Sequence, residues 1–359
     1  MKNLFVWEIK KNVKRNAIIG ISVAAVVLLI LFAVVYNMLA DLVKDIMSGE
    51  ITTEGLEEEL GGELEINGGE FFLDRLTKKD LEELKEITEH NVAELEKEYK
   101  KNKNAYDRLF AEKSILAEVD YALAHGIYDK EARLLGLNYD GTGDGASAEG
   151  FVTMYGSVIA LVVLIYGIIY GAQTYSAEYK SGTIKLVMTR PVKKSSLTLA
   201  KLLSMYATVT VAFLVPVLIS YAYGAIAFGT DASVKVIYSF NASSAGITTV
   251  GALTFGTIIN NLINILVMAT LSFALATVTR NSAVGIIVSL AVVLGIGGFF
   301  SSLGITAFTL SYSLDFMKYF GVGDVVRNGN FFVSLAVVVF YLAASLVAVF
   351  LVTEKRDVY

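Results

Sequence analysis

Six stretches of this chain, at 17–40, 151–172, 202–228, 253–279, 282–304 and 331–352, contain no Asp, Glu, Lys, Arg or His. A helix rises about 1.5 Å per residue, so about 20 apolar residues cross the hydrocarbon core of a bilayer. Each stretch is long enough. Apolar residues make up 55% of the 359, and mean hydropathy is +0.58, too high for a soluble domain of this size. The sequence reads as an all-α polytopic membrane protein with six transmembrane helices.

Orientation follows from charge. Residues 41–150 carry 13 Lys and Arg against 28 Asp and Glu, net −15, and the remainder carries 17 against 7, net +10. Membrane topology follows the Lys and Arg of short loops. That places 41–150 outside and both termini in the cytoplasm of a multi-pass protein of the cell membrane. The first span reads as an uncleaved anchor: it is too long for a signal peptide, and the large residues Tyr36, Asn37 and Met38 sit near its end. Gln occurs once, and Glu and Lys dominate the charged set, which points to a thermophilic source; a prokaryotic one is expected.

Between the spans the chain divides as follows. Residues 1–16 carry Lys2, Lys10, Lys11, Lys14 and Arg15, with Phe5, Ile9 and Val13 at helical spacing. They read as an amphipathic interface helix, and Trp7, Glu8, Lys10 and Lys11 are its candidate contacts. Residues 41–150 form an acidic, largely helical extracytoplasmic domain. Thr77 and Asp80 mark a helix start, a heptad-like stripe follows from Leu81, the chain bends or folds back near Lys101–Asn104, and a second helical run ends at His125-Gly126. Residues 229–252 form an outer loop, with 236–252 rich in Ser, Thr, Gly and Ala and readable as re-entrant. Residues 305–330 form another outer loop, and 353–359 a short cytoplasmic tail. Pro216 should kink its span. Asn260, Asn261 and Asn264 in the fourth span, with Gln173, are polar groups that serve helix packing or line a pathway. Asn241-Ala242-Ser243 has the form of a glycosylation sequon.

Several chemistries are absent. The chain has no Cys and only His90 and His125, which read as surface or packing residues. Asp140, Thr142, Asp144 and Gly145 fit the first half of an EF-hand loop, but Phe151 stands where a bidentate Glu is needed, so a solvated linker is the default. No GxxxxGK[ST] is present, so ATP is not bound here through a P-loop. Proton- and sodium-coupled carriers usually keep an ionisable group at membrane depth. Spans without one fit a transporter driven through a protein partner.

The segment 173–201 is the cationic inner loop. From Ala177 to Leu203 it carries Glu178, Lys180, Lys185, Arg190, Lys193, Lys194 and Lys201, net +5. Gly182 can end one helix, Pro191 fixes a turn, and the next helix starts near Ser195 or Ser196. Glu178, Gly182-Thr183, Leu186, Thr189-Arg190-Pro191-Val192, Lys193-Lys194 and Lys201 together resemble the permease subunits of ABC-2-type transporters. The resemblance covers most of the membrane part and not 41–150.

It implies a membrane-spanning subunit that is not itself an enzyme and binds no cofactor, with ATP and Mg held by a separate cytoplasmic ABC ATPase. The implied partners are that ATPase, a second permease subunit in a homo- or heterodimer, and the lipid bilayer, not nucleic acid. Export is the family's usual direction. The ATPase-coupling candidates are Glu178, Tyr179, Gly182, Thr183, Arg190, Pro191, Lys193 and Lys194. The competing reading is a membrane-anchored sensor that binds a ligand through its extracytoplasmic helical domain.

Overall fold

The structure is a computed structural model that describes residues 6, 33, 77–101, 105–127, 133–135, 147–180, 182, 193–294, 306–321, 325 and 329–355. Apart from residues 6 and 33, the expected interface helix and the span at 17–40 lie outside them, as do the residues at 140–146, residues 183–192, residues 295–304 and the end of the tail. Among the described residues the chain is mostly helical.

The helical part of the acidic domain is a hairpin of α1, Lys78–Lys101, and α2, Tyr106–His125. Thr77 and Asp80 start α1 reciprocally: the Thr77 amide donates to Asp80 Oδ2 at 2.9 Å and the Asp80 amide to Thr77 Oγ1 at 3.4 Å. The Thr77 hydroxyl, donating to Asp80 Oδ2 at 2.7 Å, and then the Thr77 amide hold the Asp80 carboxyl below its ordinary range. Gly126 ends α2 in the left-handed conformation, at φ 64°. Lys85–Asp120, Glu96–Lys113 and Glu98–Arg108 pair across the hairpin at 2.8–2.9 Å. Such exposed pairs are screened by water and add little, so the seam is held mainly by buried apolar residues such as Leu81, Val119 and Ala122.

Next come α3, Ala148–Lys180, α4, Lys194–Ala227, α5, Val250–Thr279, α6, Ser282–Leu294, and α8, Phe331–Lys355. A single turn, α7, Leu310–Ser313, precedes α8. By length and composition α3, α4, α5 and α8 are each able to cross a membrane, and α6 is a shorter apolar helix. Of the six spans expected, the first is described only at Ala33 and the fifth only as far as α6. Helix α4 runs through the buried Pro216.

Helix α3 is central, packed on α4, α5 and α6 through a core that includes Tyr155, Ile168, Val209, Phe213 and Phe273. Between α3 and α5 the backbones nearly touch. A Cβ on Gly171 would lie 2.5 Å from the Ala269 carbonyl oxygen, so only glycine fits. Ser272 Oγ donates to the Ile168 carbonyl at 2.8 Å across the same contact.

The all-α expectation needs correction. Strands β2, Lys235–Phe240, and β3, Ser244–Thr249, form an antiparallel hairpin, and β1, Arg133–Leu134, pairs parallel to β2. The stretch read as loop or re-entrant is therefore mostly strand. Val236, Ile237 and Tyr238 favour the pleated surface. Asn241 and Ala242 both have φ 52°, and the Ser243 amide closes the turn on the Phe240 carbonyl at 3.2 Å. Positive φ at both central residues marks the primed turn whose twist suits a hairpin. Thr249 ends β3 and caps α5 by accepting from the Ala252 amide, so strand passes directly into helix.

Candidate functional site

At the end of the bundle away from the sheet, Lys201 Nζ donates to Glu178 Oε1 at 2.7 Å. The lysine side chain is 0% exposed and the carboxylate side chain 6%. Helical spacing brings them together. Glu178 lies three residues beyond Tyr175, one turn along the α3 face that packs on α4. Lys201 follows Leu197 by four residues, on the buried stripe of α4 that continues through Met205 and Phe213. The ammonium also stands 5.5 Å from the Tyr175 ring centroid, within range of a cation–π contact. A buried ion pair is expensive to desolvate and needs good geometry to recover that cost. Glu178 lies in the last turn of α3, where the helix dipole is negative, which adds to the cost.

The pair fixes the two residues from which the cationic segment departs. Gly182 is exposed at φ 69°, in the left-handed region, and a Cβ there would meet nothing within 4 Å. Lys193 occupies the N-cap position of α4 in an extended conformation and is exposed. Lys194 is the first residue of α4, slightly earlier than Ser195 or Ser196. Tyr179 belongs to α3, but its side chain lies outside the described residues, as do Thr183, Arg190, Pro191, Trp7, Glu8, Lys10 and Lys11.

The polar residues within the spans separate. Gln173 is half-buried in α3, five residues before Glu178. Asn260 Oδ1 accepts from the Phe316 amide at 3.0 Å, which ties α5 to the segment before α8. Asn261 and Asn264 are half-buried farther along α5. His90 is exposed beside Glu94, and His125 stacks on Tyr121.

A second fastening lies at the sheet end, and sequence reasoning missed it. Glu149, in the first turn of α3, is buried. It accepts from the Tyr221 hydroxyl of α4 at 3.1 Å and from the Asp231 amide beyond α4 at 2.8 Å. The helix dipole favours a carboxylate there. The signal available in the sequence is a lone acid at the rim of an apolar run, adjoining the acidic domain. Lys201 carried a similar signal, as a lone cation flanked by Ala200 and Leu202.

The segment before α8 holds a buried cation. Lys318 is buried, donates to the Tyr312 carbonyl and lies against the Tyr312 and Tyr319 rings. Burial lowers its pKa to about 7, against the opposing pull of Asp315. Its neighbour Tyr319 bonds Ser334 of α8 through its hydroxyl at 2.6 Å and accepts from the Asn241 amide at 2.9 Å. Asn241 Oδ1 in turn accepts from the Phe331 amide. The sequon asparagine is thus half-buried and bonded to two other segments.

Apolar residues cover the outside of the bundle, among them Leu218 of α4, Ile287 of α6 and Phe332 of α8, each 66% exposed. Faces of this kind, on helices of this length, suggest a helical membrane protein. The family described as "Protein of unknown function (DUF2705)" matches residues 134–359, more than half of the chain, and the chain belongs to that family. The match begins in β1 and runs through α8, leaving out the α1–α2 hairpin. No curated protein and no solved structure matches the chain.

Proposed function

We propose that this chain is the permease subunit of an ATP-driven ABC-2-type transporter. Six spans place both termini and the 173–201 segment in the cytoplasm, and the sheet end outside. Two permease subunits pair to form the pathway. A separate ABC ATPase, holding ATP and Mg, docks on 178–194 with help from the N-terminal helix, and the substrate is exported. The observation that carries this reading is the buried Glu178–Lys201 bond. It fixes the inner ends of α3 and α4 to each other where the cationic segment leaves, so a push on that segment moves both helices together. Glu149 fastens the same two helices at the other end, which supports a rigid pair that carries motion across the membrane.

The test is to purify the chain from its native membrane and identify what accompanies it. A stoichiometric P-loop ATPase, lost when residues 182–191 are changed, is the expected result. Arg190→Glu with Gly182→Leu should uncouple ATP hydrolysis from transport while the spans stay folded, and full transport by that variant would remove the coupling role. One observation favours the sensor reading: the α1–α2 hairpin is fastened to the sheet by buried Glu118, which accepts from the Ser239 amide at 3.1 Å. A dimer without an ATPase, carrying an extracytoplasmic ligand, would select that reading.

A further inference from the structure

Beneath the β-hairpin, between the first four turns of α5 and the first two turns of α8, lies a pocket of about 470 Å³. Pockets that hold small ligands span about 300–1,000 Å³ and are mostly apolar, with a few polar groups placed to orient the guest. This one fits that description. Ile259 and Ile263 of α5, Leu335 of α8, and Phe316, Met317 and Phe320 supply apolar walls, while Tyr238, Thr248 and Asn260 are among its polar contributors. Tyr238 and Thr248 belong to the strands, so their polar groups come from the sheet side. Asn260 Oδ1 is already committed to the Phe316 amide.

The pocket is continuous with the outer apolar face of the bundle. Ile259, Ile263 and Leu335 line it and are also exposed, and Phe255 and Phe332 extend the same exposed surface on α5 and α8. A cleft of this size on a helix face that meets lipid has no water to fill it, because water in hydrocarbon finds too few partners. In a bilayer, what lies beside such a face is hydrocarbon chain. The headgroup region is on the sheet side, where Thr248 and Tyr238 stand.

We propose that this pocket is a binding site for one acyl chain of a phospholipid from the leaflet next to the sheet, with the headgroup against the hairpin. The proposal rests on α5 and α8 meeting lipid and not on the transport reading. Occupancy would tie the hairpin, α5 and α8 together, because the chain touches all three.

The test uses the whole chain purified in dodecyl maltoside micelles, titrated with a phosphatidylcholine that carries a photoactivatable diazirine midway along one acyl chain. Adducts are mapped by mass spectrometry. Labelling at residues 259, 263 and 335 should saturate, while labelling at Leu218 and Ile287 should rise in proportion to the probe. Gly256→Leu plugs the pocket from its wall, where a Cβ would meet Met317 Sδ at 3.4 Å. It should lower pocket labelling about tenfold, equivalent to about 1.4 kcal/mol, and leave Leu218 and Ile287 unchanged. Ile263→Trp, at the exposed mouth, supplies the same test if the glycine variant fails to fold. Labelling that is proportional everywhere, or undiminished in a folded plug variant, would overturn the proposal. So would a pocket left unlabelled at saturating probe.

Discussion

Glu178 and Lys201 neutralise each other out of water, and removing one leaves the other buried and charged. Breaking such a pair typically costs about 3–5 kcal/mol, whereas replacing both members with apolar residues is often neutral. Glu178→Leu or Lys201→Met alone should therefore lower the unfolding temperature sharply, as followed by circular dichroism in detergent, and the double variant should regain most of the loss. If the double variant were as unstable as the sum of the singles, the pair would not be the unit. Lys318 makes a pH prediction. Its value of about 7 lies below the ordinary 10.5, so between those values the unfolded chain binds more protons than the folded one. Stability should then rise with pH from about 7 to 10.5, by about 1–2 kcal/mol after allowance for partial solvation. Lys318→Met should flatten that rise; an unchanged pH profile would mean that Lys318 is charged and solvated in the folded chain. Both members of the 178–201 pair are visible in the sequence as charges at the rims of apolar runs. Their meeting is not, because it depends on where α3 ends and α4 begins, and a shift of one residue turns a side chain about 100° around its helix.

At the level of elements, legibility followed local chemistry. Thr77, Asp80 and Gly126 fix their helix ends through bonds a few residues long, so the ends of the α1–α2 hairpin could be read directly. The β-hairpin could not, because Val236–Phe240 sits in a charge-free stretch that continues into α5, and apolar residues beside a span read as more span. Its turn also lacks the usual glycine. Ala242 stands at φ 52°, where an L-residue with a Cβ is strained by about 1–2 kcal/mol. Ala242→Gly should therefore raise stability by about 1 kcal/mol, detectable as a higher unfolding temperature. A loss would mean that the methyl group's packing near Phe110, Tyr319 and Val325 outweighs the strain.

Taken whole, the molecule joins a helical hairpin, a small sheet and a helical bundle, and its bundle was the legible part. Charge-free runs of helical length need no tertiary information, whereas the contact of the acidic domain with the sheet, through Glu118 and Ser239, links residues far apart in the chain. One property of the whole follows from the two fastenings of α3 to α4. If Glu149 and the 178–201 pair make one body of these helices, a further bond between them should leave any working motion intact. The helices approach closely at Gly224, where a Cβ would lie 3.3 Å from Ala148 Cβ, a little under the usual Cβ separation in disulfides. The chain has no cysteine of its own, so an Ala148→Cys, Gly224→Cys variant offers a single oxidisable pair. The disulfide should form under mild oxidant, seen as altered electrophoretic mobility that a reductant reverses. On the proposed permease function, oxidised and reduced forms should then support the same ATPase stimulation and the same transport in reconstituted vesicles. Activity lost on oxidation and restored on reduction would show that α3 and α4 part at the sheet end during the cycle, and the rigid pair would have to be abandoned.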